Sequence, residues 1–233
     1  RKKSIYEQIQ HPFIPKFYGT TKNNDSIIIE YINGQTLDKY QFDECDDMII
    51  IIFKLLFIID FIHDKHLLIR DIKLNNLMIT GQYDIVMIDF DRVIDESTQK
   101  HTIDLNIEYA APEVKTNSLY SYKSDIYSFG KIIEFIIAKS NVKNEITAIN
   151  DIIKQCLQEN ANQRPSTKII IDYFFNNFLN ISCKHLNKTK IFSSISSLLS
   201  ISNDPISQFN YGNIFLRGEF VEQDTNKAIY FYS

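Results

Sequence analysis

An α-rich α+β fold is predicted by three features of the chain. A β-branched segment from Ser26 to Ile32 stands near the start, and a long, mostly apolar run from Met48 to Ile62 follows it. Two short strands come next, and then helical periodicity over 124–139, 145–159 and 167–178. Few strands followed by several helices give a domain whose core lies among helices, with the sheet pushed to one end.

Each element has a local reason. Ser4 to Gln10 carries helical spacing, and "HPFIPKFYG" after it reads as a loop that leads into a strand. The strand over 26–32 stops at Asn33-Gly34, a turn pair. Acidic residues from Asp43 to Asp47 suit the N-terminus of the long apolar helix that runs to about Asp64. The segments "NLMIT" and "DIVMID", separated by Gly81-Gln82-Tyr83, read as a small hairpin. From Arg92 to Leu105 the periodicity is lost and Thr, Asp and Gln accumulate, so a long loop is expected.

Composition narrows the function classes. Of the 233 residues 44% are hydrophobic and 23% charged, with a net charge of −4, which argues against a surface built for a nucleic-acid backbone. Cys45, Cys156 and Cys183 are odd in number and lack C-x-x-C spacing. A reducing, cytoplasmic setting is therefore expected, with no disulfide framework and no zinc site. The run from Met48 to Ile62 is too short for a bilayer and is broken by Lys54 and Asp60, so it is expected as a buried helix and no membrane partner is expected. Residue 1 is Arg, and the chain reads as a fragment of a longer one.

The stretch "RDIKLNNLMITGQYDIVMIDFDR" carries the chemistry. Taken alone, Asp71-x-Lys73 is a solvated surface turn. Asn76 five residues after Asp71, on a loop that follows a helix, changes that reading. The three side chains together can present a base, a phosphate counter-charge and a metal ligand to one point. Asp89, at the end of the next strand, can hold a Mg²⁺ ion that bridges phosphates.

With these residues in view, the chain resembles the eukaryotic protein kinases. Asp71, Lys73 and Asn76 stand as in that family's catalytic loop, Asp89-Phe90 as in its metal-binding triplet, and Ala111-Pro112-Glu113 as in its Ala-Pro-Glu motif. "SDIYSFGKIIEFI" is similar to the central buried helix with Asp125, and Arg164-Pro165-Ser166 to the closing motif. The resemblance covers residues 1–180 and implies a protein-kinase-like fold, mostly the helical C-terminal lobe with the end of the N-terminal lobe. The spacing from Cys156 to Arg164-Pro165-Ser166 and the segment "EYINGQTL" look like the tyrosine-kinase-like group of Ser/Thr kinases.

The resemblance also implies roles and partners. Asp71 would accept the hydroxyl proton of a protein substrate, Lys73 would neutralise the moving phosphate, and Asn76 with Asp89 would hold Mg²⁺. ATP would be the phosphate donor, its adenine edge bonded by the backbone from Glu30 to Ile32, with Ile29 as gatekeeper. Arg70 would pair with a phosphorylated Ser97, Thr98 or Thr102. Glu113 and Arg164 would form a buried ion pair, and Asp125 would anchor the catalytic-loop backbone.

Departures from the family pattern point the other way. Ile69 stands for His, Asp91 for Gly and Asn106 for Thr, and Lys2 falls where a paired Glu is usual. No Gly-rich loop and no Val-Ala-x-Lys strand are present. Groups of that kind are often worth about 10²-fold each in rate, so the 233-residue piece by itself is expected to be nearly inactive. The alternative to an enzyme is a pseudokinase scaffold.

Residues 181–203, with "SSISSLLSIS", read as a linker or a weak helix without an obvious packed face. Residues 204–233 resemble part of a Sel-one-like helical repeat, through Tyr211-Gly212, Gly218, Val221, Asp224 and Lys227-Ala228. Such a repeat would bind protein partners; the plainer alternative is an amphipathic helical tail packed on the domain.

Overall fold

In the computed structural model, the described residues are 2–23, 25–42, 44–81, 84–98, 108–117, 119–140 and 147–178, with 187, 190, 191 and 194 beyond them. Helix α1 (Lys2–Gln8) leads to the antiparallel pair β1 (Phe17–Thr20) and β2 (Ile27–Ile29). The short strand β3 (Gln35–Thr36) follows, and then helix α2 (Cys45–Asp64). Strand β4 (Leu67–Leu68) opens the loop that bears Asp71. The hairpin β5 (Leu77–Ile79) and β6 (Ile85–Met87) carries β3 on its free edge, and β7 (Ile94–Asp95) pairs back onto β4. The rest is helical: α3 (Pro112–Asn117), α4 (Tyr122–Lys139), α5 (Thr147–Cys156) and α6 (Thr167–Phe178).

Helix α2 is the axis of the core. Nearly every apolar side chain from Met48 to Ile62 is buried, on all sides of the helix, because α4, α6, β4 and β6 all pack against it. Two charged residues interrupt this surface, and each has a partner. Lys54 pairs with Asp84 and lies over the Phe13 ring, and Asp60 accepts a hydrogen bond from the Thr167 hydroxyl at the start of α6. Among the described residues no helix is long and apolar enough to cross a membrane.

The expected elements are found, with shifted ends. Helix α1 closes at Gln8, short of the expected Gln10, because Pro12 disfavours helical backbone at His11 and the Gln10 side chain instead caps the Tyr6 carbonyl at 2.8 Å. Strand β2 spans three residues where seven were expected. Its pairing runs one step further, from Glu30 N–H to Lys16 O at 2.8 Å, before the chain turns away. Helix α4 starts two residues early, because Ser121 and Ser124 form a reciprocal capping box. The loop expected over 92–105 contains β7 and a 3₁₀ turn at Glu96–Thr98.

One glycine fixes a close approach. A Cβ on Gly34 would lie 2.4 Å from the Ile79 carbonyl oxygen, so only glycine lets the turn after β2 sit against the hairpin.

The stretch read as a linker does have a packed face. Ile191 is fully buried in the core cluster. Asn187 N–H donates to both carboxylate oxygens of Asp46, at 2.9 and 3.1 Å. Lys190 Nζ reaches Glu44 at 2.7 Å and Asp47 at 2.9 Å, while its backbone N–H is capped by the Asn187 side chain. The acidic first turn of α2 therefore receives a clasp from residues more than 140 positions away, a match of charges that local sequence does not display. The repeat-like residues 204–233 lie outside the described residues.

Candidate active site

The catalytic-loop residues are held from behind. Both carboxylate oxygens of the buried Asp125 accept backbone N–H bonds, from Ile69 and Arg70, at 2.9 Å each. His63, in the last turn of α2, lies 3.0 Å from the same carboxylate. These bonds suit the left-handed backbone of Arg70, whose φ is 69°, a conformation costly for a non-glycine residue. The anchoring expected of Asp125 is thus visible as two amide bonds.

In front of that anchor, Asp71, Lys73 and Asn76 converge. Asp71 Oδ2 accepts from Lys73 Nζ at 2.7 Å and from Asn76 Nδ2 at 3.0 Å, and Arg92 Nε lies 3.7 Å away. Its other oxygen, Oδ1, is buried with no hydrogen-bond partner among the described residues. A buried acceptor left unpaired costs about 1–3 kcal/mol, a cost that a hydroxyl donor arriving there would remove. Asp71 also lines a small cavity with Arg70, Tyr109, Ala111 and Tyr120.

Asp89 reaches the same place through the hairpin. Ile88 N–H donates to Asn76 O at 2.8 Å, which sets Asp89 one residue from Asn76 across the sheet end. Asp89 itself has φ 65°, and its Oδ1 accepts from Asp91 N–H at 3.2 Å. Asp91, in the position where glycine was expected to matter, takes no positive φ, so the strain lies at Asp89 instead. Asn76 spends its Nδ2 on Asp71 and keeps its amide oxygen for another partner. An amide oxygen and a carboxylate are hard donors of the kind Mg²⁺ takes, and both residues fit such an ion. Among the described residues no cluster of three or more His, Cys, Asp or Glu suggests another metal site.

Ile69 and Phe90 are buried in the same core cluster. Phe90 meets the ring of Tyr6 edge to face at 5.5 Å, and Tyr6 in turn stacks on Phe17 at 6.0 Å, so α1 and β1 touch the Asp89-Phe90 segment through aromatic rings. Burial raises the Tyr6 phenol above its ordinary value, against a backbone hydrogen bond from Phe90 that lowers it. Sequence reading missed Tyr6; its signal was an aromatic inside a helix whose neighbours Ile5 and Ile9 face the core.

The remaining expected residues are placed as follows. Arg70 lies over the Tyr120 ring at 4.4 Å. Burial raises the Tyr120 phenol, opposed by the positive charges of Arg70 and Arg92. Ser97 bonds back to Asp95, while Asn106 and Thr102 lie outside the described residues. Lys2 opens α1. Glu30 is tied through its carboxylate to Lys16 N–H at 3.1 Å, and Ile29 ends β2 opposite Phe17. Ile32 is half-buried on the segment that leads to Gly34. On β5, Met78 is half-exposed between buried Leu77 and Ile79, so it points away from the core. Glu113 and Arg164 form the expected pair, with Arg164 almost fully buried.

Comparison with known proteins agrees with this geometry. The protein kinase domain family matches residues 1–147, more than half of the chain. The spermatocyte protein spe-8 of Caenorhabditis elegans is 30% identical over 142 residues, 57% of this chain and 28% of that protein. The mitogen-activated protein kinase kinase kinase mom-4 of the same organism is 26% identical over 208 residues, 74% of this chain and 38% of the relative. The probable serine/threonine-protein kinase mkcD of Dictyostelium discoideum is 33% identical over 128 residues, 52% and 20%. The chain thus spans 20% to 38% of the length of these relatives. Joined to the helical lobe and its catalytic loop, the family match leads to one conclusion: the chain belongs to the protein kinase domain family.

Proposed function

We propose that this chain carries the phosphate-transfer half of a protein kinase, which moves the γ-phosphate of Mg·ATP to Ser or Thr hydroxyls of protein substrates. The observation that carries the reading is the asymmetry of Asp71: Oδ2 is held by Lys73 and Asn76, while Oδ1 is buried and unpaired. That oxygen is placed to accept a proton from an incoming hydroxyl. The Ser/Thr preference follows the printed names of relatives such as mkcD.

The roles divide by position. Asp71 orients the substrate hydroxyl and takes its proton as the oxygen's bond to the γ-phosphorus forms and the bond to the bridging oxygen of the leaving ADP breaks. Lys73, 2.7 Å from Asp71, is close enough to turn its ammonium to the transferred phosphate and offset its charge. Asn76 and Asp89 would hold a Mg²⁺ ion, which would supply positive charge to offset that of the phosphates. The backbone from Glu30 to Ile32 bonds the adenine edge. Residues 204–233, read as a Sel-one-like repeat, supply a surface for protein partners.

The full-length protein incubated with ATP labelled on its γ-phosphate tests this. Label on Ser or Thr of an added peptide pool is expected. Nucleotide binding without any transfer would favour the scaffold reading instead.

A further inference from the structure

We infer that Arg92 is a positioning residue for Asp71, the second cation that holds the base while Lys73 shares its donors with phosphate. The inference rests on the proposed phosphate transfer and extends it to a residue outside the roles assigned above. In the structure Asp71 Oδ2 is surrounded by three donors from three places in the chain. Lys73 Nζ at 2.7 Å comes from the loop itself, Asn76 Nδ2 at 3.0 Å from the 3₁₀ turn, and Arg92 Nε at 3.7 Å from the segment after β6. Oδ1 has no hydrogen-bond partner among the described residues, so the carboxylate is clamped through one oxygen alone.

That arrangement has a weak point once nucleotide is bound. Lys73, 2.7 Å from Asp71, would divide its three N–H donors and its single charge between the carboxylate and the moving phosphate, which weakens its hold on the base. Asn76 is neutral and holds Asp71 by a single amide hydrogen. Arg92 adds a second cation beside the same carboxylate oxygen, and its guanidinium stays charged. Its side chain is 29% exposed against 3% for Asp71, so the pair sits in a half-buried place where a charge contact is worth more than on an open surface. Arg92 also acts electrostatically on the Tyr120 phenol, which lines the cavity beside Asp71.

The role differs from that of a metal ligand or a nucleotide contact, and steady-state kinetics on the full-length protein separate them. Arg92→Gln should lower kcat on the order of 10-fold while the KM for ATP moves less than about 2-fold, since a base out of place costs turnover and not nucleotide binding. Arg92→Lys should recover most of the loss. An unchanged kcat in Arg92→Gln, or a loss confined to the KM for ATP, would overturn the inference. If the wild-type protein shows no transfer, the proposed function fails on its own, and crystal structures with a Mg-bound nucleotide analogue decide the question for Arg92. The Asp71 carboxylate should turn out of its present orientation in Arg92→Gln and keep it in Arg92→Lys. An identical Asp71 in all three proteins removes the positioning role.

Discussion

Arg164 meets Glu113 through two parallel hydrogen bonds, Nη1 to Oε1 and Nη2 to Oε2, each 2.8 Å long. The same guanidinium donates to the carbonyls of Lys123, Gln158 and Glu159, so one side chain joins the starts of α3 and α4 to the loop before α6. Burial, the largest single influence, would raise the Glu113 carboxyl, but the bonds and charge of Arg164, with hydrogen bonds from the Glu113 backbone and Ser124, together hold the group below its ordinary value of 4.5. The stabilisation is therefore complete above that value and is lost as pH falls through the lowered one. Glu113→Gln should cost about 3 kcal/mol at neutral pH, because a buried guanidinium loses its counter-charge. It should also flatten the acid end of the stability curve, as followed by urea unfolding between neutral pH and the acid limit of the fold.

His11 sets an earlier acid response. Burial lowers its pKa from 6.5 to about 4, and its Nδ1 accepts the Phe13 N–H at 3.2 Å while the ring lies 4.8 Å from the Phe61 ring. The unfolded chain binds this proton below 6.5 and the folded one does not, so stability falls from pH 6.5 toward 4 by at most on the order of 3 kcal/mol. His11→Gln should remove that slope in denaturation curves taken across the window, and a slope unchanged by the substitution would assign it to other groups.

Gly130 lets α4 and α5 touch. A Cβ there would meet Cys156 Cβ at 2.7 Å and Leu157 Cδ2 at 2.9 Å. Alanine gains up to about 1 kcal/mol of helix propensity, but overpacking costs about 1–3 kcal/mol and the Cys156 contact is with an atom fixed to the backbone. Gly130→Ala should therefore lower the melting temperature, and adding Cys156→Gly should return part of the loss by opening the tighter contact. Simple additivity of the two changes would show that the contact does not control the packing.

How much of this could be read from the chain alone follows the range of the interactions. The apolar run of α2 and the hairpin from Leu77 to Met87 declare themselves locally, and so does the spacing of Asp71, Lys73 and Asn76, because one turn of backbone brings them together. Strand lengths were overestimated where tertiary geometry ends the pairing, as at Glu30. Arg92 was hidden because its partner lies 21 positions away and is reached through a hairpin. The grip of Asp125 on the Ile69 and Arg70 amides was expected from resemblance, but the part of His63 in it depends on where α2 happens to stop.

The clasp on α2 was the least legible feature and makes a prediction of its own. Burial would lower the Lys190 ammonium, yet Glu44 and Asp47 together raise it, and Asp47 is almost fully buried. Ile191→Ala should cost about 2–4 kcal/mol, as for other buried large-to-small changes. Lys190→Ala should cost about as much as a lost buried charge partner, in the range of 1–3 kcal/mol. Thermal unfolding of both variants checks this, and melting temperatures equal to wild type would mean that the segment does not pack there in solution.

The most direct test of the proposed chemistry compares γ-phosphate transfer and Mg-dependent ATP binding in the full-length wild-type protein and in Asp71→Asn. The asparagine can still take the bonds from Lys73 and Asn76, but its amide is too weak a base to accept the hydroxyl proton. Transfer to Ser or Thr should fall by about 10²-fold or more while ATP affinity stays within about 2-fold. Transfer that persists at the wild-type rate would contradict the assignment of Asp71 as the base.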